Sequence, residues 1–117
     1  MKHFGRTIRD KREQLKLSDR AFSLRQVATR VGIEPAYLSK IERCEVKPPS
    51  EATIVQLAQE LEIDKDVLLA MAGKVSSELQ EVIRKRPQLF ANLILQLKEA
   101  PDNAILQVVR EVRDSNW

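Results

Sequence analysis

The 117-residue sequence offers little to covalent chemistry. It has one histidine, His3, and one cysteine, Cys44. No nucleophile, base and orienting group can be assembled around a histidine so near a chain end. One His with one Cys cannot close a structural zinc site, and a lone cysteine excludes an internal disulfide. Catalysis, a metal and a cofactor are therefore not expected. The chemistry that remains is ionic. Residues 1–50 hold 12 Lys/Arg against 6 Asp/Glu, and residues 51–117 hold 8 against 11. Contact with a polyanion is accordingly expected from the first half, where Arg25, Lys40 and Arg43 fall within one stretch and Lys47 follows just after it.

That stretch, SLRQVATRVGIEPAYLSKIERC over residues 23–44, reads as two short helices around a tight turn. Leu24, Val27, Ala28 and Val31 have the i, i+3, i+4, i+7 spacing of a buried helical face. Ser23 is an N-cap, with Gln26 placed to complete a capping box. Gly32 stops the helix because it tolerates positive φ. Ile33 fills the corner, and Pro35 suits the first position of a second helix, 35–43. This helix buries Leu38 and Ile41 and leaves Ala36, Tyr37, Ser39, Lys40 and Arg43 on faces that can look outward. The arrangement is a helix-turn-helix.

The run A-T-R-V-G-I-x-x-x-Y-L-S-K-I-E-R resembles the helix-turn-helix of the phage Cro/cI repressor type, the XRE family, and the resemblance covers roughly residues 4–72. It implies an all-α, five-helix phage-repressor-like DNA-binding domain over residues 1–73. By the family's docking, Glu34, Pro35, Ala36 and Lys40 lie nearest the base edges, with Ser39 and Tyr37 beside them. Lys40 can donate to guanine and Ala36 can meet a thymine methyl. Pro35 brings no side-chain donor, so part of the specificity is expected from DNA shape. Arg25 and the capped end at Ser23 are candidates for phosphate contact at the start of the first motif helix, as are Arg43 and Lys47 at the other end. The family also pairs an arginine of the first helix with the glutamate after the second motif helix, which here implies an ion pair between Arg12 and Glu42. A guanidinium facing a core must be paired, since its desolvation costs several kcal/mol.

Elsewhere the pattern is helical. Residues 4–15 carry Phe4, Ile8, Arg12 and Leu15 on one stripe. The following KLSDRAF is longer than the family's usual connection, and is either a plain surface insertion or a place where Lys16 and Arg20 reach a phosphate. Phe22 stands at a hydrophobic-staple position. Cys44 replaces the family's helix-ending glycine, so either strain is tolerated there or the helix runs on. Pro48 and Pro49 stiffen a loop before a Ser50-capped helix, 51–61, with Ile54, Leu57, Ala58 and Leu61 inward. Asp64 caps a helix over 65–72 carrying Val67, Leu68 and Met71, and Gly73 closes the domain.

Residues 74–117 form a helical segment, divided by first-turn prolines Pro87 and Pro101 and ending on Trp117. With aromatics at only 4%, its stripes are aliphatic. Three helices this short cannot hide such stripes alone. Phe90, Leu93, Ile94, Leu97, Val108, Val109 and Val112 are candidates for a dimerisation surface, with the interior of a monomer as the competing reading. The expected function is a sequence-specific transcriptional regulator, most often a repressor in this family, binding an inverted repeat in double-stranded DNA as a homodimer. The alternative is an antitoxin or adaptor whose C-terminal half binds a partner protein. Lacking a signal-peptide core or a bilayer-length apolar run, the chain is expected in the cytoplasm, away from membranes.

Overall fold

The computed structural model describes residues 2–116; Trp117 lies outside them. It is all-helical, with no strand among the described residues. The helices are α1 (Lys2–Lys16), α2 (Leu24–Val31), α3 (Pro35–Glu42), α4 (Glu51–Glu60), α5 (Lys65–Met71), α6 (Ser77–Lys85), α7 (Pro87–Leu97) and α8 (Asp102–Asp114), with a 3-10 turn at Arg20–Phe22 between α1 and α2. The chain divides into two compact units, Met1–Ser77 and Glu78–Trp117.

In the first unit α1 packs on α3 and α5, α2 on α3 and α4, and α4 on α5. Ile8, Val27, Ala28, Leu38, Ile54, Leu57, Leu61, Leu68 and Leu69 are completely buried where these helices meet. Two of these helices, α4 and α5, start at side-chain caps. Ser50 Oγ accepts from the Thr53 amide at 3.4 Å, and Asp64 Oδ1 accepts from the Asp66 and Val67 amides at 2.9 and 3.0 Å. A side-chain oxygen at the cap satisfies amides that have no partner inside the helix. The chain beyond α5 is tied back to α4, since Ser77 donates its backbone N–H and its hydroxyl to the Glu51 carboxylate at 3.0 and 3.1 Å.

Two local expectations need correction, and one left open, at Cys44, is decided. On α5, Leu68 and Leu69 are buried, whereas Val67 is 49% exposed and Met71 37%; α4 and α1 cover the side of α5 that carries the two adjacent leucines. Cys44 takes φ +59, so α3 ends at Glu42 and the backbone accepts a left-handed cysteine. Pro101 stands before α8 as its N-cap, whereas Pro87 does occupy the first turn of α7.

The second unit buries no side chain of α6, α7 or α8. Ile83, Phe90, Leu97 and Val108 are half-buried. Leu93, Ile94, Val109 and Val112 remain 42–58% exposed.

Candidate nucleic-acid interface

The turn between α2 and α3 is built by local chemistry. Ser23 Oγ accepts from the Gln26 amide at 3.2 Å and starts α2. The capping box is only half made, because the Ser23 amide donates to the Arg20 carbonyl at 3.1 Å in place of the Gln26 side chain. Gly32, at φ +83, ends the helix. Its amide and that of Ile33 both return to the Ala28 carbonyl, at 2.9 and 3.0 Å, which closes the last turn and reverses the chain. Pro35 then opens α3 with Glu34 at its cap, and the Leu38 amide reaches the Glu34 carbonyl at 3.1 Å.

Burial fixes which face of α3 is presented. Leu38 and Ile41 are inside. Glu34, Ala36 and Lys40 are exposed on the outer side, with Pro35 and Ser39 half-buried at its edges. Tyr37 is half-buried and packs on the core, so its ring is part of the scaffold and only its margin faces outward. A short helix held by two buried aliphatic residues, with its first turn leading, has the form of a helix that enters a major groove.

The Arg12 guanidinium sets α3 against α1. Its Nε donates to Glu42 Oε2 at 2.7 Å and its Nη2 to Glu42 Oε1 at 3.0 Å, with both side chains about 95% buried. Nη1 donates to the Phe22 carbonyl at 3.2 Å, and Nη2 also reaches Glu13 Oε1 at 3.0 Å. The hydrogen bonds that Arg12 donates to Glu42 raise its pKa above the ordinary value against the opposing effect of burial. A raised guanidinium pKa contributes stability at every pH below the ordinary value and loses it only as pH climbs past the raised one, so the Arg12 contribution does not vary through the neutral range. The fork-to-fork geometry fixes both distance and plane between the two helices.

Gly5 makes a second tie between α1 and α3, and its one mark in the sequence is a glycine inside a helical pattern. A Cβ there would collide with the Ile41 carbonyl oxygen and stand 2.8 Å from Cys44 Sγ and 3.0 Å from the Glu42 carbonyl oxygen. The absence of a side chain lets α1 lie directly on the end of α3.

Cations on and around the helix-turn-helix differ in what holds them. Arg12 and Arg30 are held by carboxylates, Arg30 Nε donating to Glu60 Oε2 at 2.7 Å while its guanidinium lies 5.4 Å from the centroid of the Phe22 ring. Arg43 is partly committed, with Nε on the Ser39 carbonyl at 3.3 Å and Nη2 3.3 Å from Glu45. Lys16, Arg20, Arg25, Lys40 and Lys47 are exposed and make no side-chain hydrogen bond or ion pair among the described residues. Folding uses the paired set; the exposed set retains its full charge and donors for another molecule. A groove lined by Arg6, Arg9, Asp10, Glu13, Glu42, Arg43 and Cys44 mixes both signs of charge. Among the described residues no group of three or more His, Cys, Asp or Glu is placed to hold a metal ion. No described helix is long and apolar enough to cross a membrane.

A sequence model of the helix-turn-helix domain matches residues 3–71. A Bacillus subtilis (strain 168) protein, the uncharacterized HTH-type transcriptional regulator RghRB, is 34% identical over 82 residues. The match takes in 70% of this chain and 55% of that protein, so the chain spans about half the length of the relative it matches. No solved structure matches the chain.

Proposed function

The chain belongs to the XRE-like helix-turn-helix family of transcriptional regulators, and we propose that it acts as a repressor that binds an inverted-repeat operator as a homodimer. The carrying observation is the division among the cations: Arg25 and Lys40, on the helix-turn-helix, are exposed and free while the neighbouring Arg12 and Arg30 are consumed by the fold. In this reading α3 lies in the major groove with Glu34, Pro35, Ala36 and Lys40 toward the bases. Ser39 and the margin of Tyr37 lie beside them. Ser23, Arg25, Arg43 and Lys47 hold phosphates on either side and fix the register without reading sequence. Arg43 gives up Glu45 to do so, an exposed pair worth at most about 1 kcal/mol.

One such helix reads too few base pairs to define a site, so a second copy is required. The surface for it is the C-terminal helical segment, residues 74–117, where Phe90, Leu93, Ile94, Leu97, Val108, Val109 and Val112 supply apolar area that the monomer leaves at least partly exposed. The same exposed area also favours a second reading, in which this unit grips a different protein, as an antitoxin or adaptor would.

Selection of bound sequences from a random duplex pool at near-physiological salt, where non-specific binding is suppressed, tests the proposal. The expected product is an inverted repeat with half-sites about one helical turn apart. Sedimentation of the free protein separates the two readings: a dimer supports self-pairing, and a monomer at high concentration transfers the second unit to a foreign partner.

A further inference from the structure

The segment joining α1 to α2 is longer than the helix-turn-helix needs, yet it is held firmly. Asp19 Oδ1 accepts from the Ala21 amide at 2.9 Å. The Phe22 and Ser23 amides return to the Asp19 and Arg20 carbonyls at 3.2 and 3.1 Å. Arg12 reaches up to the Phe22 carbonyl at 3.2 Å, and the Phe22 ring lies under Arg30, itself fixed by Glu60. The two nearby acids are occupied: the Asp19 carboxylate caps the 3-10 turn and Glu13 receives Arg12. Lys16 and Arg20 are left exposed with no side-chain partner among the described residues. An anchored loop whose carboxylates are engaged and whose cations are free has already lost the entropy that binding would otherwise cost.

Its position says what those cations meet. The 3-10 turn runs directly into Ser23, the N-cap of α2. In helix-turn-helix docking the first motif helix crosses the DNA backbone. Arg20 is three residues from Ser23, within about 11 Å along the chain at most, close enough for its long side chain to reach a phosphate next to one met by the α2 N-terminus.

We propose that the α1–α2 segment is an accessory DNA clamp, in which Lys16 and Arg20 bind backbone phosphates flanking the half-site, outside the contacts of α2 and α3. The inference rests on the DNA-binding reading above. The clamp reads no bases; it lengthens the footprint and strengthens binding uniformly across sequences.

The test compares the full chain with K16Q/R20Q, with R110Q as a charge-removal control on α8, and with K40A, on one duplex of mixed sequence over a range of salt. Each lost phosphate contact lowers the slope of log affinity against log salt by about 0.9, and affinity near ~0.1 M salt on the order of tenfold. K16Q/R20Q is expected to lose close to two such increments with unchanged melting, and R110Q none. Phosphate-ethylation interference should disappear at flanking phosphates in K16Q/R20Q and persist at the core. Wild-type slope and interference in K16Q/R20Q, while K40A binds weakly, would overturn the clamp and leave the DNA-binding reading standing. An equal loss in R110Q would also overturn it, as a net-charge effect. A wild-type chain that binds no duplex would overturn both readings.

Discussion

The two units have similar sequence patterns and opposite outcomes. Both carry aliphatic stripes at helical spacing, Leu24, Val27, Ala28 and Val31 in α2 and Ile105, Val108, Val109 and Val112 in α8. In the first unit such stripes face one another across five helices, and Val27 and Ala28 are completely buried. In the second, α8 buries nothing fully. An amphipathic stripe specifies that a helix has an apolar side; whether that side meets another depends on how many elements close around it. The first unit spends its hydrophobic surface on its own stability, and the second keeps it available.

Substitutions can break or sharpen that contrast. The largest effect is expected at the ion pair that locks α1 to α3. Glu42→Ala leaves a buried guanidinium with only the Phe22 carbonyl and Glu13, and should cost about 3–5 kcal/mol in urea unfolding of the first unit. A loss below about 1 kcal/mol would mean that the pair carries little of the stability. Next come matched truncations in the two units. Leu57→Ala, inside the first core, should destabilise by about 2–5 kcal/mol. Leu93→Ala, on the exposed side of α7, should change the melting of dilute protein by no more than about 0.5 kcal/mol and instead weaken self-association in sedimentation. Equal destabilisation by both would erase the distinction between the units. Gly5→Ala tests the close approach of α1 to the end of α3, with a loss of about 1–3 kcal/mol from overpacking. The smallest effect is at Glu62, which has φ +58 after α4. Glu62→Gly should stabilise thermal unfolding by about 0.5–1 kcal/mol, because glycine adopts that conformation without a Cβ clash. A loss there would show that the glutamate side chain contributes more than its backbone costs.

Much of the interface was legible because helix-turn-helix signals are local. Ser23, Ser50 and Asp64 accept from amides two or three residues on, and Gly32 and Pro35 act through their own backbone, so their roles follow from residue type and spacing alone. The outward position of Ala36 and Lys40 also follows, once Leu38 and Ile41 are recognised as the buried pair. Tyr37 was harder, because a tyrosine has an apolar ring that packs and a hydroxyl that tolerates water. The link between Arg12 and Glu42 spans thirty positions, and nothing local encodes it; it entered through the family resemblance.

What the sequence by itself determined, then, is where α2, α3, α4 and α5 begin, which side of α2, α3 and α4 is apolar, and that the positive charge lies in the first half. Those are short-range consequences of caps, breakers and periodicity. Only the tertiary structure decided that Leu69 is inside and Met71 outside, that Cys44 takes the left-handed conformation, that Gly5 must lack a side chain, and that Lys16 and Arg20 remain free while Arg12 and Arg30 are consumed. Each depends on atoms far apart in the chain being brought within van der Waals or hydrogen-bonding distance, and that proximity is a property of the packed helices and not of any one segment.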